Sequence, residues 1–211
     1  MSAFDFNTAE QVQSISELIP NGTKAMVVLT IRPGGSGDGG WLKENFEKTV
    51  RSLDCEFTIE GGPYDRRKFW TQLAVEAVPN APITEGQQKN IDISRGKVRG
   101  IIESARGITP SDTSEAALNG RKLSSWGDLN GLRFPAKIKV EKGRVNQQTG
   151  EKYDDKNALD VAITPGDRDY VHPGQQQAVP AQAPATQAAA GGFQGQAPAN
   201  NGGVPKPSWA A

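Results

Sequence analysis

Leu53-Asp-Cys-Glu-Phe-Thr-Ile-Glu60, Gly61-Gly-Pro-Tyr-Asp-Arg-Arg67 and Lys68-Phe-Trp-Thr-Gln-Leu-Ala-Val75 read as strand, turn and strand. Leu53, Cys55, Phe57 and Ile59 alternate with Asp54, Glu56, Thr58 and Glu60. Phe69, Thr71, Leu73 and Val75 alternate with Lys68, Trp70 and Gln72. Apolar and polar residues alternating at period two mark antiparallel strands with one face buried. Two glycines free in φ and a proline fixed in φ supply the turn. The hairpin puts Phe69 on the core face and Trp70 on the opposite face, beside Lys68. Two readings of Trp70 follow. It is a stacking surface among cations, or it is covered by a helix from elsewhere in the chain.

Working outward toward the N-terminus, Thr23–Arg32 forms another strand, with Ala25, Val27, Leu29 and Ile31 on one face. The glycine-rich run 33–40 between the two is a flexible hairpin tip. It lacks the Gly-x4-Gly-Lys-Ser/Thr pattern of a phosphate loop. Residues 1–22 are a polar N-terminal arm with three anions and no cation. Toward the C-terminus the period turns helical. Ile91, Val98, Ile101, Ile102 and Ala105 share a side, and Gly107 suits a C-cap. A helical insertion therefore spans about 84–127. Strands return at Leu132–Glu141, where Pro135 suggests an edge or a bulge, and at Asn157–Thr164. A polar hairpin joins them.

The expected layout is a mainly β domain over 23–172, α+β in class, shaped as a small barrel or sandwich. From residue 173 the chain is Ala/Pro/Gln/Gly with one charge, Lys206. Such a tail cannot bury enough apolar surface to offset ordering, so disorder is expected. Trp209 near its tip is a candidate docking residue.

Lys+Arg and Asp+Glu are 24 each, so no global charge draws the protein to nucleic acid or membrane. No apolar run reaches the ~18 residues of a membrane span. One cysteine excludes an internal disulfide. Cys55 reads as a buried apolar residue, which fits a reducing cytoplasm. His172 is the only histidine, so a histidine-based triad and a zinc site are both excluded. Binding, without metal or cofactor, is expected rather than catalysis.

Cations interleaved with aromatics are the feature that points to a ligand. Tyr64, Arg66, Arg67, Lys68 and Trp70 lie together. Arg133, Lys137 and Lys139 share one strand face, with Lys152, Tyr153 and Lys156 beside its partner. A cationic groove with aromatic platforms suits sequence-tolerant binding of a single strand.

Gly40-Trp-Leu-Lys43, Leu53–Trp70, Arg99-Gly-Ile-Ile-Glu-Ser-Ala-Arg-Gly107 and Gly131-Leu-Arg-Phe134 resemble a family of phage and prophage proteins. These accompany replication and recombination proteins and are regarded as binding single-stranded DNA. The layout of domain plus Gln/Pro/Gly/Ala tail is also similar to that of bacterial single-stranded-DNA-binding proteins. That likeness implies an OB-like barrel. The tail tip here departs from theirs in carrying no acid. The resemblance implies a single-stranded-DNA-binding accessory protein in the cytoplasm of a bacterial host cell. Replication or recombination proteins are its implied partners, met through the tail. The other reading is a structural or adaptor protein of a phage, meeting other proteins through sheet and tail.

Overall fold

A computed structural model describes residues 17–145 and 149–174. They form β1 (Lys24–Arg32), β2 (Leu42–Glu44), β3 (Val50–Glu60), β4 (Lys68–Ala77), α1 (Glu85–Arg106), α2 (Glu115–Gly120), β5 (Arg133–Glu141) and β6 (Lys156–Ala162). The arm before Glu17 and the tail beyond Gly174, Trp209 included, lie outside the described residues.

All six strands join one antiparallel sheet. The hairpin pair β3 and β4 runs in register through Phe57–Phe69 and Thr58–Lys68. β1 pairs with β3 over Met26–Arg32, and the short β2 continues along the same edge of β3. β5 then pairs with β1, and β6 with β5. The long strands thus lie in the order β4, β3, β1, β5, β6, with α1 and α2 inserted between β4 and β5. The architecture is mainly β with a helical insertion, a single antiparallel sheet that is open rather than a closed barrel.

β4 and β6 approach each other without forming a ladder, so neither a closed barrel nor a two-sheet sandwich results. Side chains occupy the backbone groups that a ladder would use. The Leu159 N–H donates to Thr71 Oγ1 at 2.9 Å, and Lys97 Nζ donates to the Leu159 carbonyl at 2.9 Å.

The alternation read from the hairpin sets the core. Leu53, Cys55, Phe57, Ile59, Phe69, Leu73 and Val75 are all buried. Phe57 stacks on Phe69 with centroids 5.0 Å apart and meets Phe134 edge-on at 6.2 Å. Helix α1 covers one end of this core with Val98, Ile101 and Ile102. A capping box starts the helix, where Thr84 accepts from the Gln87 N–H and the Gln87 side chain accepts from the Thr84 N–H. Gly107, in the left-handed region at φ 68°, ends it.

Three features differ from expectation. The run 33–40, expected as a flexible tip, folds back on β2. Ser36 bridges Leu42, and a Cβ at Gly34 would lie 2.4 Å from the Leu42 carbonyl oxygen. Pro135 sits inside the sheet, in β5 between β1 and β6. Its carbonyl turns to the β6 side and accepts from Ile163, so its missing N–H falls where the β6 ladder ends. The last residues of the arm belong to the fold. Ile19 is fully buried, and the Asn157 side chain bonds both its N–H and its carbonyl, at 2.9 and 2.7 Å. Among the described residues no helix is long and apolar enough to cross a membrane.

Candidate nucleic-acid interface

The outer face of β1, β3 and β4 is a grid fixed by register. One row is Arg32, Asp54, Gln72; the next is Thr30, Glu56, Trp70; the third is Val28, Thr58, Lys68. Trp70 stands at the edge of this grid and is 44% exposed. At that exposure Trp70 is not buried beneath a helix.

Glu56 is the centre of the cluster. Its Oε1 pairs with Lys68 Nζ at 2.6 Å. Its Oε2 pairs with the Arg32 guanidinium and accepts the Trp70 indole N–H at 3.1 Å. The Arg32 guanidinium lies over the Trp70 ring, 5.5 Å from the centroid. The Lys68 bond, then that of Arg32, then the indole bond hold the Glu56 carboxyl down to about 2, against the pull of burial. The carboxylate is therefore ionised throughout the physiological range, and it neutralises cations that the sequence shows as a bare row.

Trp70 and its neighbours form one bank of a groove of about 1170 Å³. β6 and the β5–β6 hairpin form the other bank with Lys139, Lys142, Arg144, Tyr153 and Lys156, and α1 contributes Asn90, Ile93, Ser94 and Lys97. Cations on this second bank are differently placed. Lys142 pairs with Asp155 at 2.6 Å, and Lys156 lies 3.7 Å from Glu141. Among the described residues Lys97, Lys139 and Arg144 have no ion-pair partner. Burial first, and the Lys139 charge second, push the Lys97 ammonium below its ordinary value.

Of the residues named from sequence, Arg67, Lys68, Trp70, Lys139, Tyr153 and Lys156 line the groove together. The other five do not. Tyr64 packs against the core beneath the Arg67 guanidinium, which also donates to the Glu17 carbonyl. Arg66 is at the hairpin turn with φ 62° and a side chain 92% exposed. Arg133 is engaged by Glu60 and by the Pro173 carbonyl. Lys137 pairs with Asp160 at 3.2 Å. Lys152 is exposed in the hairpin, opposite Val145.

Sequence reasoning missed Arg32, Glu56, Lys97 and Arg144. Arg32 was within reach, because alternation along its strand puts it on the outer face. Glu56 needed the cross-strand register. Lys97 and Arg144 needed the tertiary approach of α1 and the hairpin. Among the described residues no group of three His, Cys, Asp or Glu side chains could hold a metal ion. No protein family, characterised protein or solved structure matches this chain.

Proposed function

We propose that the protein binds single-stranded DNA as an accessory to phage-type replication or recombination. One observation carries the binding reading. A half-exposed tryptophan is locked by its indole N–H on the outer face of a sheet, along a groove whose opposite bank holds unpaired cations. A single strand presents flat bases for stacking on one side and phosphates for cations on the other. The replication or recombination context rests on the resemblance of Gly40–Lys43, Leu53–Trp70 and Arg99–Gly107 to phage proteins.

The test is a titration with a single-stranded oligonucleotide at low salt, followed by tryptophan fluorescence. Stacking contributes about 1–3 kcal/mol per base. Trp70→Ala is therefore expected to weaken binding about tenfold to a hundredfold while leaving the circular dichroism melt in place. A wild-type protein that ignores single strands at low salt ends this reading and leaves the adaptor role.

A further inference from the structure

The two banks of the groove differ in a way that selects the ligand. On the sheet bank the cations nearest Trp70 are Arg32 and Lys68, and both are bound to Glu56, whose side chain is only 10% exposed. On the other bank Lys97, Lys139 and Arg144 have no acid partner among the described residues. A phosphate arriving at the sheet bank meets an ionised carboxylate between its would-be partners. A base arriving there meets a ring with its N–H tied down and a guanidinium plane lying over it, so that base, indole and guanidinium can stack as one column.

We infer that Glu56 is the specificity-determining residue of the groove: it keeps the sheet bank for bases, leaves phosphates to the bank of Lys97, Lys139 and Arg144, and so excludes duplex DNA. This rests on the single-strand reading above. A duplex turns its bases inward and presents phosphates on both flanks of any groove it enters. On the sheet bank Arg32 and Lys68 are neutralised by Glu56. That leaves Arg67, held by the Glu17 carbonyl and lying over Tyr64, as its one cation without an acid partner among the described residues, too few to receive the second flank. A single strand has only one backbone to place. Glu56 also positions Trp70, since Oε2 is the acceptor of the indole N–H.

The experiment measures affinity and its salt dependence for single-stranded and duplex oligonucleotides of the same sequence, with four proteins: wild type, Glu56→Gln, Arg32→Gln/Lys68→Gln, and Arg144→Ala. Each phosphate contact contributes about 0.7 to the salt slope for a single strand and about 0.9 for a duplex. Glu56→Gln frees two cations, so duplex affinity is expected to rise at least tenfold at low salt and the duplex slope to steepen by about 1.8. Arg32→Gln/Lys68→Gln is expected to leave the single-strand slope unchanged, because those cations are already neutralised. Arg144→Ala is expected to lower it by about 0.7. The double variant keeps the test decisive if Glu56→Gln fails to fold. A fall of about 1.4 in its single-strand slope places phosphates on the sheet bank and overturns the inference. Unchanged duplex binding by folded Glu56→Gln overturns it too, with single-strand binding left standing. Absence of single-strand binding by the wild type removes the underlying reading and this inference with it.

Discussion

Two residues next to each other in β3 show what one position of alternation does. Cys55 points inward and is fully buried, and burial, with the Asp54 charge beside it, pushes its thiol up to about 12. The nucleophile is the thiolate, so Cys55 is expected to resist thiol reagents in the native protein and to react on denaturation. Rapid native labelling would shift the register of β3 by one residue and turn Glu56 inward. Glu56 points outward into its ring of donors. Its pKa is lowered by folding, so its stabilising contribution is complete above 4.5 and is lost as pH falls toward about 2. Melting midpoints of wild type and Glu56→Gln should therefore differ most at pH 5 and above. The gap should close as pH falls to 2. A constant gap across that range would mean that the ion pairs add nothing to stability.

At the scale of elements, what was legible in the chain was whatever a local pattern writes. Alternation through Leu53–Val75 located the hairpin and its inward face, and Gly107 marked the end of α1, whereas the capping box of Thr84 and Gln87 that starts the helix was not read from the sequence. The helix depends on those signals. Thr84→Ala removes the acceptor of the Gln87 N–H and is expected to cost about 1 kcal/mol in a urea titration. No measurable loss would show that the packing of Val98, Ile101 and Ile102 alone sets the helix start. The candidate site was legible only in part, and for a physical reason. Lys68 and Trp70 are two apart on one strand, so their shared face follows from period two. Their partner Glu56 lies across the turn, and which residue of β3 opposes Trp70 depends on how many residues the turn consumes. The turn consumes them in an unobvious way, with Gly61, Gly62 and Arg66 all at positive φ and Asp65 accepting from the Gly61 N–H. Arg133, Lys137 and Lys139 also share a face, yet only Lys139 reaches the groove. Glu60 and Asp160 engage the other two, and both acids are brought in by the sheet rather than by the strand.

For the whole molecule, the buried apolar residues among those described run from Ile19 to Ile163. The tail is expected to add nothing to that core, because its Ala/Pro/Gln/Gly composition offers little apolar surface to bury. A chain truncated after Val179 is expected to melt within a degree or two of the full protein. A fall of ten degrees would show that the tail packs on the domain. The groove, the seam between β4 and β6 and the site are products of one fact, that the sheet curls without closing. An open sheet has a vulnerable border, because unpaired backbone groups on an outer strand are a template for another chain. At Leu159 that template is spoiled. The Thr71 hydroxyl takes the amide, and the Lys97 ammonium sits on the carbonyl. A strand from a second molecule would have to displace a hydroxyl and desolvate a cation to add itself there. The unclosed rim can therefore stay open to a ligand without becoming a nucleus for polymerisation.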